Sequence, residues 1–501
     1  MVTDETDASG LPAAGLGDRA AVALVFGSSA AVLVVELVAL RLLAPYLGLT
    51  LETSTLVIGI ALTAIALGSW GGGRAADRVD PRRALGPLLA VSGVGVAVTP
   101  VALRSAGASG DDLLLLMVAT AAILVPASLL SAVTPMVTKL RLTDLARTGS
   151  VVGRLSGIGT AGAIVGTILT GFVLISRVPV TGILLGLGGL LVVAAAVVEV
   201  AVRGWRFGLG PAALVLVGGL AAVVAPDACD VETTYHCASV EVDPDRESGR
   251  TLVLDGLRHS YVDLADPTHL EFEYVRAVAA VVDTLHPTDD PIEAYHLGGG
   301  GLTVPRWLDA TRPGSRSVVS EIDPGVVRID REQLGLATGP DLQVRVEDGR
   351  LGLGRLADDS RALVVGDAFG GVAPPWHLTT VEAIAEVRRV LDPDGAYVAN
   401  LIDYGELGFA RAEVATIGAV FDHVAIAADP EVFEFGGGGN MVVVGSDRPL
   451  DLVTMRAALA DREVPWRLVS GADLQAWVGD ARVLTDDRAP TDQLLTPYPV
   501  A

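Results

Sequence analysis

Residues 292–301 read Ile292-Glu-Ala-Tyr-His-Leu297-Gly298-Gly299-Gly300-Gly301, and residues 317–324 read Ser317-Val-Val-Ser-Glu321-Ile-Asp323-Pro324. The first is a short apolar run that stops in four glycines, which let a backbone approach a ligand closely. The second is a β-branched run ending, about 20 residues further on, in an acid that can accept hydrogen bonds from both hydroxyls of a ribose. Further outward the same alternation repeats. Strands are expected at 292–297, 317–322, 343–346, 362–365, 396–401, 423–427 and 440–445. Helices are expected at 304–311, from 325, at 350–357, 379–391 and 408–420. Strands alternating with helices at this spacing predict a mostly parallel, doubly wound sheet. The last two strands, joined through glycines, suggest an antiparallel hairpin at its edge.

Open sheets of this kind bind ligands at the carboxyl ends of their strands. Four such ends carry chemistry: Gly298, Gly299 and Gly300 after the first, Glu321 after the second, Asp348 after the third and Asp367 after the fourth. Together they point to a nucleoside, with Glu321 toward the ribose and Asp348 toward an adenine amino group. The plainer reading of Asp348 and Asp367 is that each caps a following helix.

The rest of the 501-residue chain differs in kind. Overall it is 51% hydrophobic with 19% charged residues and a net charge of −23, but the apolar residues crowd into the first half. Seven stretches, at about 22–44, 54–73, 84–103, 112–138, 150–175, 180–202 and 208–225, approach or exceed the ~17–20 residues that cross a bilayer. The expected organisation is a tail (1–19), a transmembrane helical domain of about seven spans (20–225), a β-rich segment (229–290), a nucleoside-binding α/β domain (291–450) and a C-terminal extension (451–501). Glycines 149, 153, 157, 162 and 166 in the fifth span offer a small face for close helix packing. The acidic balance disfavours nucleic acid as a partner.

Basic residues alternate between the loops. Arg74, Arg78, Arg82 and Arg83 follow the second span, Lys139, Arg141 and Arg147 the fourth, and Arg203 and Arg206 the sixth; the intervening loops carry Arg41, Arg104 and Arg177. The positive-inside rule places a multi-pass protein in the cell membrane with a cytoplasmic N-terminus and, after seven spans, an extracytoplasmic C-terminal domain. Cys229 and Cys237, the two cysteines of the chain, read as a disulfide closing a small loop, which suits an oxidising compartment. The other reading is two small buried thiols. No His/Cys pair stands near them at metal-ligand spacing, so no metal is expected.

Beside these features stand Tyr235-His236, Leu252-Val-Leu-Asp255-Gly256 and Glu271-Phe-Glu-Tyr274. With Leu297-Gly-Gly-Gly300, Glu321-Ile-Asp323-Pro324 and Asp348-Gly349, they resemble the spermidine synthase (polyamine aminopropyltransferase) family over about 230–450, especially its membrane-fused bacterial members. The resemblance implies a class I methyltransferase-like, Rossmann-type fold. It implies S-adenosylmethionine or its decarboxylated form as co-substrate, held by Gly298–Gly300, Glu321 and Asp348. Asp367 would be the catalytic acid that orients and deprotonates an amine, and Tyr235, His236 and Tyr274 would contact substrate. Two acids of the family pattern are absent: Gly301 stands at the fourth place of the glycine motif, and Asp367 is followed by Ala368-Phe369-Gly370. A desolvated polycation needs its carboxylates, so the nucleoside half reads as intact and the amine half as altered.

Three functions follow from these residues: aminopropyl transfer to an amine, methyl transfer on the same scaffold, or nucleoside or polyamine sensing or transport without turnover. The expected partners are the lipid bilayer and a small amine or other small-molecule acceptor, with a homo-oligomer left open.

Overall fold

The computed structural model of the chain describes residues 17–47, 51–142, 144–175, 177–203, 229–286, 290–370, 373–434 and 437–496. The chain divides into two compact units, Met1–Ala44 with Glu52–Asp227, and Pro45–Leu51 with Ala228–Ala501.

The first unit is helical. Its helices are Asp18–Leu47, Leu51–Ala76, Pro81–Gly107, Asp112–Ser131 with its continuation Val133–Arg141, Thr148–Leu169 and Val180–Arg203. Among the described residues, six helices are long and apolar enough to cross a membrane, and they correspond to the first six expected stretches. The seventh, 208–225, lies outside the described residues. The glycine face of the fifth span is shorter than its spacing suggested. A Cβ at Gly162 would fall 2.2 Å from the Phe26 carbonyl oxygen and one at Gly166 2.7 Å from that of Ala30, so these two admit the first helix at backbone distance. A Cβ at Gly149, Gly153 or Gly157 would meet nothing described within 4 Å; the five-residue step from Gly157 to Gly162 turns these three onto a different face of the helix. At one end of this unit Asp18 pairs with Arg154 (2.7 Å) and Arg141 (3.2 Å), and Lys139 with Asp77 (2.8 Å). These exposed pairs contribute little stability, but they gather the start of the first helix and the loops after the second and fourth at the same end, as alternating spans require.

The second unit holds two sheets. A small antiparallel sheet runs β1 (Val231–Glu232), β2 (Cys237–Val242), β3 (Gly249–Leu254) and β4 (Leu257–Asp263). The hairpin β3–β4 turns on Asp255, at φ 51°, and Gly256, at φ 80°. Cys229 and Cys237 form a disulfide, with Cα atoms 5.3 Å apart, that ties the entry of this sheet to β2.

The large sheet has eight strands in the order β12-β10-β11-β9-β8-β5-β6-β7. These are β5 (Glu293–Leu297), β6 (Arg316–Glu321), β7 (Leu342–Val346), β8 (Arg361–Gly366), β9 (Leu391–Asp403), β10 (His423–Ala428), β11 (Gly439–Ser446) and β12 (Arg467–Ser470). Strands β5 to β9 pair in parallel; β11 against β9, β10 against β11 and β12 against β10 are antiparallel. Val364, Val398 and Val443 are buried completely, and helices cover both faces, which is why these strands read as continuous apolar runs.

Each strand and helix expected between 292 and 445 is present, with three differences. The helix expected at 350–357 ends at Leu353. Strand β9 begins at Leu391, earlier than expected, because Leu391 already pairs with Arg361. The hairpin β10–β11 is not the edge of the sheet, since β12 from the C-terminal stretch covers it. Ala425, Ile426, Ala427 and Ala428 are each no more than 1% exposed. A strand apolar on both faces is a poor edge, and the extra strand removes that edge.

Candidate active site

The crossing of the β5 and β8 ends builds the floor. The Asp367 amide donates to the Leu297 carbonyl at 2.9 Å. Gly298 sits at φ 89°, and a Cβ there would fall 2.4 Å from the Asp367 carbonyl oxygen. Only glycine combines that backbone angle with that approach. Beyond it, Glu321 organises the loop. Its Oε2 accepts the Gly299 amide at 2.9 Å and the Gly300 amide at 3.3 Å, and its Oε1 accepts the Asp323 amide at 2.8 Å. Burial pushes this carboxyl up, against the pull of the three amides. Glu321, expected from the sequence to face a ribose, is thus also the clamp on the glycine loop.

Asp348 does cap a helix: Oδ1 accepts the amides of Arg350 (2.9 Å) and Leu351 (3.1 Å). Its Oδ2 meets His377 Nε2 at 2.8 Å. Burial works against its charge, yet the Leu351 amide and His377 hold the carboxyl below the usual range. Among the described residues Asp367 caps no helix. Its Oδ2 accepts the Tyr274 hydroxyl at 3.1 Å and its Oδ1 the Asn400 amide at 2.9 Å, while Asn440 fixes the Asn400 orientation by donating to its Oδ1 at 3.0 Å. Burial lifts this carboxyl to about 6 in spite of both donors.

Tyr235 and His236 arrive from the small sheet. Asp323, fully buried, accepts the Thr233 hydroxyl and the Tyr235 amide (3.0 Å) while capping the helix that begins at Pro324. His236 Nδ1 lies 2.7 Å from Asp255 Oδ2. The LVLDG motif therefore orients the histidine, and the EIDP motif holds the turn before it.

Two cavities open on this frame. One, of about 190 Å³, is lined by Gly298, Gly299, Gly300, Glu321, Asp348 and His377, with Tyr235 and His236 on its wall. The other, of about 690 Å³, is lined by Tyr274, Asn400, Asn440 and the acids Glu271, Glu273, Asp429 and Glu431. Asp367, Phe369 and His259 line both. The predicted site residues thus come together in two groups: Tyr235 and His236 on the glycine side, Tyr274 on the other, Asp367 between.

His259, His377, Asn400, Asp429 and Glu431 were not singled out from the sequence. His259 lies four residues after Asp255 on β4; burial and nearby His236 bring its ring down to about 4, so it is neutral at pH 7. Asp429 and Glu431 follow β10, whose carboxyl end could have been scanned like the others. Asn400, inside an apolar strand, carried no such signal. Gly301 has a physical reason. Its amide donates to Ser260 Oγ at 2.8 Å, and a Cβ would lie 2.9 Å from Val262 Cγ2. Strand β4 occupies the space that an acid would need. Among the described residues no group of three or more His, Cys, Asp or Glu side chains is placed to hold a metal ion.

Strand order and site together define a class I S-adenosylmethionine-fold transferase domain of the spermidine synthase and methyltransferase kind. No family model matches the chain. The polyamine aminopropyltransferase of Vibrio vulnificus is 29% identical over 253 residues, 48% of this chain and 81% of that protein. That of Chromobacterium violaceum is 30% identical over 141 residues, 28% of this chain and 53% of that protein, so this match spans about half the relative's length. A crystal structure of a probable spermidine synthase from Corynebacterium glutamicum, 30% identical, aligns over 52% of this chain and 97% of that one with a TM-score of 0.48. The chain belongs to the spermidine synthase-like (polyamine aminopropyltransferase) family, here fused to helices long and apolar enough to cross a membrane.

Proposed function

We propose that the protein is a membrane-anchored aminopropyltransferase that moves the aminopropyl group of decarboxylated S-adenosylmethionine to an amine. The observation carrying this reading is the position of Asp367, on the wall common to the glycine-side and acidic cavities. The nucleoside of the donor would lie along Gly298–Gly300, Glu321 and Asp348, and the acceptor beside Tyr274. The acceptor nitrogen attacks the propyl carbon bound to the sulfonium. The C–S bond breaks, its electron pair stays on sulfur as a neutral thioether and the new nitrogen is left as a secondary ammonium; the proton that the incoming ammonium gives up to free its lone pair goes to Asp367. The sulfonium is already a good leaving group, so the protein supplies positioning and one base. A carboxyl held at about 6 is ionised at neutral pH and more basic than a free aspartate.

The test is to incubate the purified full chain with decarboxylated S-adenosylmethionine or S-adenosylmethionine and a panel of amines. A 5′-methylthioadenosine product from the first donor is expected. Methylated acceptor from the second would instead assign methyl transfer, and nucleoside binding without product from either would leave a sensor or transport component.

We propose further that residues 229–501 lie on the extracytoplasmic side. The loop charges support this when joined to the sequence expectation of a seventh apolar stretch, and so does the Cys229–Cys237 disulfide. Protease added to intact cells should then cleave within 229–501; protection until the membrane is opened would reverse the placement.

A further inference from the structure

The acidic cavity also holds two cations. Arg258, near the start of β4, lies over the Phe272 ring with its guanidinium carbon 5.1 Å from the centroid. Arg276, in the first turn of the helix Glu273–Leu285, lines the same cavity, and its Nε is buried without a hydrogen-bond partner. Among the described residues neither guanidinium makes an ion pair, although Glu271, Glu273, Asp429 and Glu431 line that cavity with them. Glu273 instead accepts the Trp466 indole N–H at 3.1 Å.

A cavity for a plain diamine needs carboxylates and no cations. Each guanidinium repels an ammonium, and a buried N–H without an acceptor is costly. Mixed charges that leave each other unpaired fit a ligand carrying both signs, and guanidinium is matched in shape to a carboxylate.

Resting on the aminopropyl-transfer reading, we infer that the acceptor is an amino acid with a second, terminal amine, whose carboxylate is taken by Arg276 and Arg258 while the terminal amine reaches Asp367. Such an acceptor also fits Gly301 and Gly370, since it brings one positive charge fewer in net than the corresponding diamine.

The experiment compares 1,4-diaminobutane with ornithine, which differs from it by one carboxylate, using the full chain and decarboxylated S-adenosylmethionine. Ornithine should be favoured at least ~10-fold in kcat/KM, the worth of one charge-assisted hydrogen bond. Arg276→Gln should collapse that ratio toward one, Arg276→Lys should keep part of it, and the more exposed Arg258→Gln should lower it without a change in thermal unfolding. Equal or better use of 1,4-diaminobutane by the wild type, or an Arg276→Gln variant that slows both acceptors equally, overturns the inference. Calorimetric titration of both acceptors into protein saturated with 5′-methylthioadenosine separates the two readings. Arg276-dependent ornithine binding with no turnover keeps the acceptor class and removes the transfer; turnover with the diamine preferred does the reverse. No binding of either acceptor overturns the inference.

Discussion

The Tyr274 hydroxyl donates to Asp367 Oδ2 at 3.1 Å across 93 residues of sequence, joining the first turn of a helix to the end of β8. The bond matters because it sits opposite the Asn400 donor on the other carboxylate oxygen. The two donors fix the carboxylate plane and partly offset the cost of burying its charge.

The pH dependence of turnover follows. Asp367 must be ionised to take a proton, and burial holds it at about 6. The acid limb of kcat/KM should rise about tenfold per pH unit below that value and level off above it. Tyr274→Phe and Asn400→Ala each remove a group that lowers the carboxyl, so each should move the midpoint upward. A midpoint near 4, or one unmoved by both variants, would remove Asp367 from the proton transfer.

Asp367→Asn should lose turnover while keeping nucleoside affinity, because the glycine loop rests on the Asp367 backbone and neither it nor Glu321 uses the carboxylate. It should also gain stability, with a defined sign. A carboxyl raised in the folded state contributes stability that is complete below the unfolded value near 3.8 and lost as pH rises through about 6. Removing the charge therefore stabilises the protein at pH 8, by up to about 3 kcal/mol, and leaves it unchanged near pH 4. Thermal unfolding at the two pH values reads this directly.

Much of this frame was legible because its signals are local. The glycine run, Glu321 and Asp367 stand where apolar runs stop, and a strand buried on both faces declares itself as a short uninterrupted stretch. What depended on distant contacts was not legible. The covering of β10 by β12 needs a strand 39 residues beyond its partner's last residue, Ala428. The role of Ser260 and Val262 in excluding a side chain at Gly301 depends on how two sheets meet. The double duty of Asp348, to a helix and to His377, joins residues 29 apart through a loop of irregular structure. The altered amine half read from Gly301 and Gly370 is also only part of the matter, since Asp429 and Glu431 bring acids to that cavity from β10.

Reducing the disulfide should loosen the nucleoside cavity. It closes a loop of 8 residues in sequence separation, and a loop that short stabilises by roughly 2–3 kcal/mol in the chain-entropy account. Within it lie Thr233 and Tyr235, bound to Asp323, and His236, bound to Asp255. Reduction, or Cys229→Ser with Cys237→Ser, should weaken 5′-methylthioadenosine binding and lower the unfolding temperature. Unchanged affinity after verified reduction would show that Asp323 and Asp255 hold this segment without the disulfide.

The two glycines at the family's acidic positions should respond oppositely to an acid. At Gly301 a Cβ meets Val262 at 2.9 Å and the Ser260 Cβ at 3.0 Å, under a fully covered backbone. Gly301→Asp must displace β4 and bury a carboxylate there, costing about 3 kcal/mol or more. At Gly370 the nearest described atom to a Cβ beyond its chain neighbours is the Ala373 carbonyl oxygen at 3.7 Å, which is ordinary contact, and the residue is exposed. Gly370→Asp should therefore fold with an unfolding temperature within a degree or two of the parent. Gly370 lines the glycine-side cavity that Asp367 also lines, so the variant adds a second carboxylate near Asp367, and a second carboxylate favours a dication over a ligand carrying its own. The expected readout is a rise in kcat/KM for 1,4-diaminobutane relative to ornithine in Gly370→Asp, against loss of folded protein in Gly301→Asp. If Gly301→Asp instead folds normally, β4 is not what excludes the acid.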